Sequence, residues 1–140
     1  MVGVRTFGTA SALALAAAAM TLAVTALYWS LIGSQGTTSD ARVHFIAGSW
    51  ILSAAALGLS AVLPQVPVRL LLLSFASSTL LLWSLLGAFS IGALLWPPLI
   101  VALVAAVKIS DSAPTASAWI VVSTAAVASV ALTAAGLGAT

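Results

Sequence analysis

The chain alternates long apolar stretches with short polar segments, and this pattern determines the predicted fold. A helix needs about 20 apolar residues to cross a hydrocarbon core roughly 30 Å thick. One uncharged stretch, from Leu70 to Val107, would form a helix of about 57 Å, so we expect it to turn once and cross twice. The sequence therefore predicts an all-α bundle of five transmembrane helices, at about residues 7–32, 43–63, 70–88, 91–108 and 116–137.

Glycines, prolines and polar residues mark the connections between these stretches. The segment from Gly33 to Arg42 is the most polar of the chain and predicts a loop. Pro64 and Pro67 end the second stretch, because proline lacks the amide hydrogen that continues a helix. We place the turn of the long stretch between Gly87 and Gly92. Pro97-Pro98 then falls in the first two turns of the fourth helix, where a missing amide hydrogen is tolerated.

The composition supports the membrane assignment. Hydrophobic residues make up 63% of the chain and charged residues only 4%. Soluble domains, in contrast, carry about 25% charged residues. Six charged side chains cannot cover a water-soluble surface, so we expect lipid to solvate a single membrane domain of residues 1–140. The four cations are scattered, which excludes the clustered basic surface that nucleic-acid binding needs.

The distribution of the cations predicts an orientation. A cytoplasmic N-terminus places Arg5, Arg69 and Lys108 inside and only Arg42 outside, in accord with the positive-inside rule. We therefore predict a cytoplasmic N-terminus and an external C-terminus. The abundance of alanine favours a bacterial protein, and hence the inner (plasma) membrane. In the alternative, the first stretch is a signal peptide cleaved after Val24-Thr25-Ala26, which leaves four helices.

His44 and Lys108 lie at the ends of their predicted spans, and the hydrocarbon regions between the span ends contain no Asp, Glu, Lys, Arg or His. Such residues usually mark proton pathways and intramembrane active sites, because they are costly to bury in lipid. The chain also has no cysteine and no phosphate-binding or hydrolase motif. We therefore expect no enzymatic activity, no catalytic or metal-binding residue and no cofactor.

Serines recur at helical spacing on the second and third predicted helices. Small residues let helices approach closely, and hydroxyl groups form hydrogen bonds between them. A serine hydroxyl can also donate to a carbonyl of its own helix, which favours a packing role over the lining of a pore. The candidate helix-packing or pore-lining residues are Ser49, Ser53, Ser60, Ser74, Ser77 and Ser78.

A polar cluster precedes the second helix, at the predicted outer face. Asp40 and Arg42 are close enough in sequence to pair with each other. His44 is the only side chain that titrates near neutral pH. Two interpretations of His44 stay open: an interfacial polar residue, or a pH sensor or ligand of a partner's cofactor.

Aromatic residues flank the turn between the third and fourth helices. Trp83, Phe89 and Trp96 form either a belt at the membrane interface or a binding site for a lipid-soluble ligand. The segment Gly87–Pro97, with the sequence GAFSIGALLWP, also resembles a pattern in small uncharacterised bacterial multi-spanning membrane proteins. Those proteins have an F-S-I-G turn followed by a proline and another span. The resemblance implies a helical membrane fold and transfers no biochemical function.

Together these features favour a non-catalytic structural or accessory subunit of a larger membrane complex. The expected partners are membrane lipid and either other membrane protein subunits or a second copy of the chain. One alternative is a homo-oligomeric channel or passive transport component lined by the serines. Another is a protein that binds a lipid-soluble ligand at the outer aromatic turn.

Overall fold

The computed structural model describes residues 8–36, 40–87, 91–111 and 115–140, and the regular structure in these ranges is entirely helical. Five α-helices and one short 3-10 helix follow one another along the chain. Their bounds are α1 Thr9–Gln35, α2 Ala41–Val62, α3 Val66–Leu86, the 3-10 helix Ile91–Leu95, α4 Trp96–Ser110 and α5 Thr115–Ala139.

Five helical segments are long and apolar enough to cross a membrane, if the 3-10 helix and α4 are taken together. This confirms the predicted all-α bundle of five spans, and the chain is an integral membrane protein. The largest difference in bounds is at α3, which was expected to begin near residue 70 and begins at Val66. Pro67 lies in the first helical turn, where its missing amide hydrogen breaks no helical bond, so the helix starts before Arg69.

The fourth span changes its helix type at two consecutive prolines. Pro97 and Pro98 lie at the start of α4 and lack the amide hydrogens that an uninterrupted α-helix would need there. The preceding turn is instead a 3-10 helix, which continues without a break into α4. Five residues at about 2.0 Å each and fifteen at about 1.5 Å give roughly 32 Å, enough to cross the hydrocarbon core.

Helices α1 to α4 form a ring in which each helix packs against the two beside it, and α5 lies outside this ring against α3. The centre of the ring is closely packed. Five of its large side chains, each at most 2% exposed, are Trp50, Leu57, Leu73, Leu80 and Leu99.

Short connections make successive helices antiparallel, so the bundle has two distinct ends. We call one the Arg69 end; it holds the start of α1, α3 and α5 and the finish of α2 and α4. The opposite end is the aromatic end, where Tyr28, Trp50 and Trp83 lie close to the turn between α3 and the 3-10 helix.

That turn depends on two glycines in backbone contact. A Cβ atom at Gly92 would lie 2.5 Å from the carbonyl carbon of Gly87 and 2.6 Å from its Cα. No side-chain rotation relieves such an overlap, because the obstructing atoms belong to the main chain. The predicted position of the turn, between Gly87 and Gly92, therefore has a steric basis.

Candidate functional site

The serines of α2 lie in the interior of the bundle, and each donates its hydroxyl to a carbonyl of its own helix. Ser49 donates its hydroxyl to the carbonyl of Ile46 at 2.7 Å, and Ser53 donates to Ser49 at 2.9 Å. Ser60 donates to Leu57 at 2.7 Å. All three side chains are buried. On this helix the predicted serines are buried in the packed interior, and their hydroxyl protons are used within the helix.

The serines of α3 have a different environment. Ser74, Ser77 and Ser78 line a groove of about 220 Å³ whose floor is α3. Ser77 is 4% exposed, and its hydroxyl has no hydrogen-bond partner among the described residues. A buried hydroxyl without a partner is unusual and costs about 1–3 kcal/mol. This part of the predicted set therefore differs chemically from the part on α2.

The walls of this serine groove come from helices that barely touch each other. Both α4 and α5 pack against α3, and they leave a gap between them along part of its length. Leu103 and Val107 of α4 form one wall, and Val122 of α5 contributes to the other. The groove thus runs along the outside of the bundle, with apolar walls and with serine hydroxyl groups on its floor.

Arg69 joins three helices at the opposite side of α3, a role that the sequence did not predict. The side chain is 7% exposed. Its Nε donates to the carbonyl oxygen of Ser60 on α2 at 2.7 Å, and its Nη2 donates to the hydroxyl of Ser11 on α1 at 2.8 Å. Arg69 had been expected in the link before the third span, but it belongs to the first turn of α3.

The Ser60 carbonyl needs an outside donor because of the sequence that follows it. In a continuing α-helix this carbonyl would accept from the amide four residues later, which is Pro64 and has no amide hydrogen. Arg69 supplies the missing donor and places a positive charge at the C-terminal end of α2, where the helix dipole favours it. The spacing of Ser60, Pro64 and Arg69 is the sequence feature that could have indicated this contact.

The polar cluster at the start of α2 caps that helix. The Asp40 carboxylate accepts from the backbone amide of Arg42 at 2.9 Å, so these residues interact through the main chain of Arg42. His44 donates from Nδ1 to the Asp40 carbonyl at 3.0 Å, because a carbonyl oxygen can only accept. Its ring also meets the Trp29 ring edge-on, at a centroid distance of 5.4 Å. These contacts fix the entry into α2 and its packing on α1.

Two of the aromatic residues of the predicted outer site, Trp83 and Trp96, lie in different environments. Trp83 is buried in the bundle, with 6% of its surface exposed, whereas Trp96 is 44% exposed at the start of α4. Phe89 lies outside the described residues. Trp83 instead shares a cavity of about 230 Å³ with Tyr28 and Trp50. Trp50 was not singled out in the sequence, because a tryptophan in the interior of a span gives no sign of the helix it faces.

Comparisons of the chain with protein-family models, with curated proteins and with solved structures give no significant match.

Proposed function

We propose that this chain is a non-catalytic accessory subunit of a membrane complex, and that it docks a membrane-spanning helix of a partner protein in the serine groove. The single observation that carries the proposal is the groove itself, an open apolar cleft of about 220 Å³ whose floor carries the half-buried Ser78. A hydroxyl in this position can exchange a hydrogen bond with a helix that lies in the groove. The apolar walls of the groove suit the side chains of a helix.

The depth of Ser78 favours a helix over a phospholipid as the occupant. Ser78 lies about 18 Å along α3, close to the middle of the span. The polar groups of phospholipids lie outside the hydrocarbon core, so a lipid brings only apolar chain to this depth. A partner helix carries backbone carbonyls and hydroxyl groups through the whole membrane. Serine and threonine contacts between helices contribute about 0.6–2 kcal/mol each in this setting.

The channel alternative has less support than docking. A pore lined by the serine faces of the second and third helices needs hydroxyls that solvate a solute. Ser49, Ser53 and Ser60 instead donate to carbonyls of their own helix within a packed core. Trp50 and Leu57 are almost fully buried among them, which argues against an aqueous path through the ring.

The proposal includes a location and an orientation. We place the chain in a bacterial inner membrane with the Arg69 end in the cytoplasm, since the Lys/Arg distribution follows the positive-inside rule. We also propose that α1 is retained rather than cleaved. It packs against both α2 and α4, and Ser11 near its start is bonded to Arg69.

The first experiment is a purification from mild detergent with a small tag at the N-terminus, followed by mass spectrometry. We expect a stoichiometric partner and a tag that survives in the mature protein. Ser78→Leu should reduce recovery of the partner at least tenfold, because Ser78 lines the groove and is only partly buried. Ser78→Ala should reduce it roughly three- to thirtyfold, which corresponds to about 0.6–2 kcal/mol for one hydroxyl contact between helices.

Two matched controls separate docking from general damage. Ser30→Leu adds the same bulk to an exposed position on α1, and Ser53→Ala removes a hydroxyl that is already bonded within α2. Neither should change partner recovery. A photo-crosslinking residue at Val122, in the groove, should capture the partner, and one at Val127, exposed elsewhere on α5, should not.

Each part of the proposal has its own contrary result. A chain that purifies alone as a defined oligomer overturns the accessory role, and solute flux into liposomes then tests the channel alternative. A partner that is captured equally by the Ser78→Leu variant and crosslinks through Val127 overturns the groove as its docking site.

A further inference from the structure

The floor of the serine groove carries two hydroxyl groups that the described part of the chain leaves unused. Ser74 is 6% exposed and Ser78 is half-buried, and both line the groove. Their hydroxyl oxygens keep accessible surface, in contrast to the oxygen of Ser77, which is fully enclosed. Neither Ser74 nor Ser78 has a hydrogen-bond partner among the described residues. A molecule in the groove can therefore reach two free hydroxyl groups.

Other hydroxyl groups of the same helix are used differently. Thr79 donates to the carbonyl of Phe75 at 2.9 Å, and Ser84 donates to the carbonyl of Leu80 at 2.7 Å. Such a bond to the preceding turn is the usual way in which a helix satisfies a hydroxyl without help from outside. Its absence on the groove floor sets those two serines apart from the rest of α3.

Ser74 and Ser78 lie one above the other near the middle of the membrane. Residues four apart share a helix face, with their Cβ atoms about 5–6 Å apart. The two serines lie about 12 Å and 18 Å along a helix of about 31 Å, so their midpoint is close to the centre of the span. A charged side chain is costly at this depth. The group that meets both hydroxyls is therefore a neutral polar side chain.

We propose, building on the docking of a partner helix in this groove, that the docked helix carries an asparagine or glutamine near its centre and bonds Ser74 and Ser78 through its carboxamide. A carboxamide has a carbonyl acceptor and two N–H donors, and a serine hydroxyl both donates and accepts. One carboxamide can thus bond two hydroxyls on adjacent turns. A serine or threonine of the partner has a single hydroxyl, which its own helix can satisfy.

The composition of the chain indicates that this partner is a different protein. The 140 residues include no asparagine and only two glutamines, Gln35 and Gln65. Gln35 is the last residue of α1, and Gln65 directly precedes α3, so both lie at helix ends. A second copy of these helices would place no carboxamide at the depth of Ser74 and Ser78. The occupant is therefore a helix of another protein.

The test uses two synthetic helices as probes. Each is a leucine helix of about 20 residues with lysines at both ends, and its central residue is either asparagine or leucine. A central position matches the two serines in either orientation of the peptide. Because the chain has no cysteine, Thr140→Cys provides a single labelling site at the exposed end of α5.

Energy transfer from this label to labelled peptide in phosphatidylcholine vesicles measures the association. The peptide density is kept below the value at which the asparagine peptides associate with each other. We expect the asparagine peptide to bind at least threefold more tightly than the leucine peptide, since each hydroxyl contact between helices contributes roughly a three- to thirtyfold effect.

Three alanine variants locate the contact. Ser74→Ala and Ser78→Ala should each weaken binding of the asparagine peptide roughly three- to thirtyfold and leave the leucine peptide unaffected. Ser123→Ala is the matched control. Ser123 is exposed on α5 about 12 Å from its start, the depth of Ser74 on α3, and it does not line the groove. Its removal should change neither association. Ser78→Leu fills the groove and should weaken both peptides at least tenfold.

The outcomes separate the carboxamide from the docking itself. Equal binding of the two peptides, with both weakened by Ser78→Leu, overturns the carboxamide and leaves the docking of a helix in the groove intact. If Ser78→Leu weakens neither peptide, docking in the groove fails as well. A preference for the asparagine peptide that all three alanine variants leave unchanged places the contact elsewhere and overturns the proposal. Energy transfer between native copies that Ser78→Leu abolishes assigns the groove to a second copy and overturns the assignment to another protein.

Discussion

Arg69 at one end of the bundle and two buried tryptophans at the other differ in whether their hydrogen-bond donors find an acceptor. At the Arg69 end, the guanidinium of Arg69 donates to the Ser60 carbonyl and to the Ser11 hydroxyl. The Ser60 carbonyl, which Pro64 cannot serve as a donor, thereby gains a partner, and the buried cation gains an acceptor. At the aromatic end, the indole N–H groups of Trp50 and Trp83 are equally buried and have no acceptor in the described part of the chain.

This difference separates buried polar groups that the fold bonds internally from buried polar groups that it leaves without a partner. In a membrane a buried polar group gains no relief from bulk water, so a group that serves the fold must find its partner within the fold. Arg69 does so, and the serines of α2 do so as well. The Ser77 hydroxyl, in contrast, is buried and has no partner in the described part of the chain, so no internal hydrogen bond accounts for its polarity. The residue type alone does not distinguish these cases.

Replacement of Arg69 should have the largest effect on stability. Arg69→Met keeps an apolar stem and removes both donors, which leaves the buried Ser60 carbonyl without a partner. An unsatisfied buried acceptor costs about 1–3 kcal/mol, and the Ser11 contact is lost in addition. We expect the melting temperature in detergent to fall by roughly 5 °C or more. The melting temperature of Arg69→Lys should lie between those of Arg69→Met and the native chain, because an ammonium group cannot reproduce the two diverging donors of a guanidinium.

Arg42→Met is the matched control for this change. Arg42 is an exposed cation at the start of α2, and its own backbone amide provides the cap contact with Asp40. Its loss should leave the melting temperature unchanged. Equal destabilisation by the two variants would show that net charge, rather than the three-helix contact of Arg69, sets the stability of that end.

The turn at the aromatic end should be the next most sensitive position. Gly92→Ala places a Cβ atom 2.5 Å from the main chain of Gly87, and only a backbone shift relieves the overlap. We expect a loss of about 1–3 kcal/mol, as for other overpacked sites. Gly48→Ala is the control, because no atom lies within 4 Å of its added Cβ, and alanine favours the interior of α2. Thermal unfolding should therefore change in opposite directions for the two variants.

The sequence predicted the parts of this fold that depend on local pattern. Hydrophobic length identified the five spans, and Gly87 and Gly92 marked the turn that divides the longest apolar stretch. The early start of α3 was missed, because Pro67 was interpreted only as a helix terminator and not as a residue of a first turn. That error also concealed Arg69 as a buried residue.

The candidate sites were less accessible to prediction, because they depend on which helix lies next to which. The sequence identified the serines of α2 and α3 as one class, and only the packing of α4 and α5 against α3 separates Ser77 from Ser53. Trp50 is 33 residues from Trp83 in sequence, and the two share a cavity only because α2 and α3 are neighbours. No periodicity within a single helix contains that information.

The contact between α5 and the aromatic end gives the smallest expected effect and the sharpest control. The position that a Cβ atom would take at Gly136 falls on the ring of Phe45, which meets the Trp83 ring edge-on at a centroid distance of 6.1 Å. Gly136→Ala must displace this ring, a side-chain movement that costs less than a backbone shift. We expect a loss of roughly 1 kcal/mol by thermal unfolding and a change in the Trp83 indole NMR signal. Gly138→Ala is the control, because no atom lies within 4 Å of its added Cβ, and it should change neither the stability nor the Trp83 signal. Identical behaviour of the two variants would mean that α5 does not help to position Trp83.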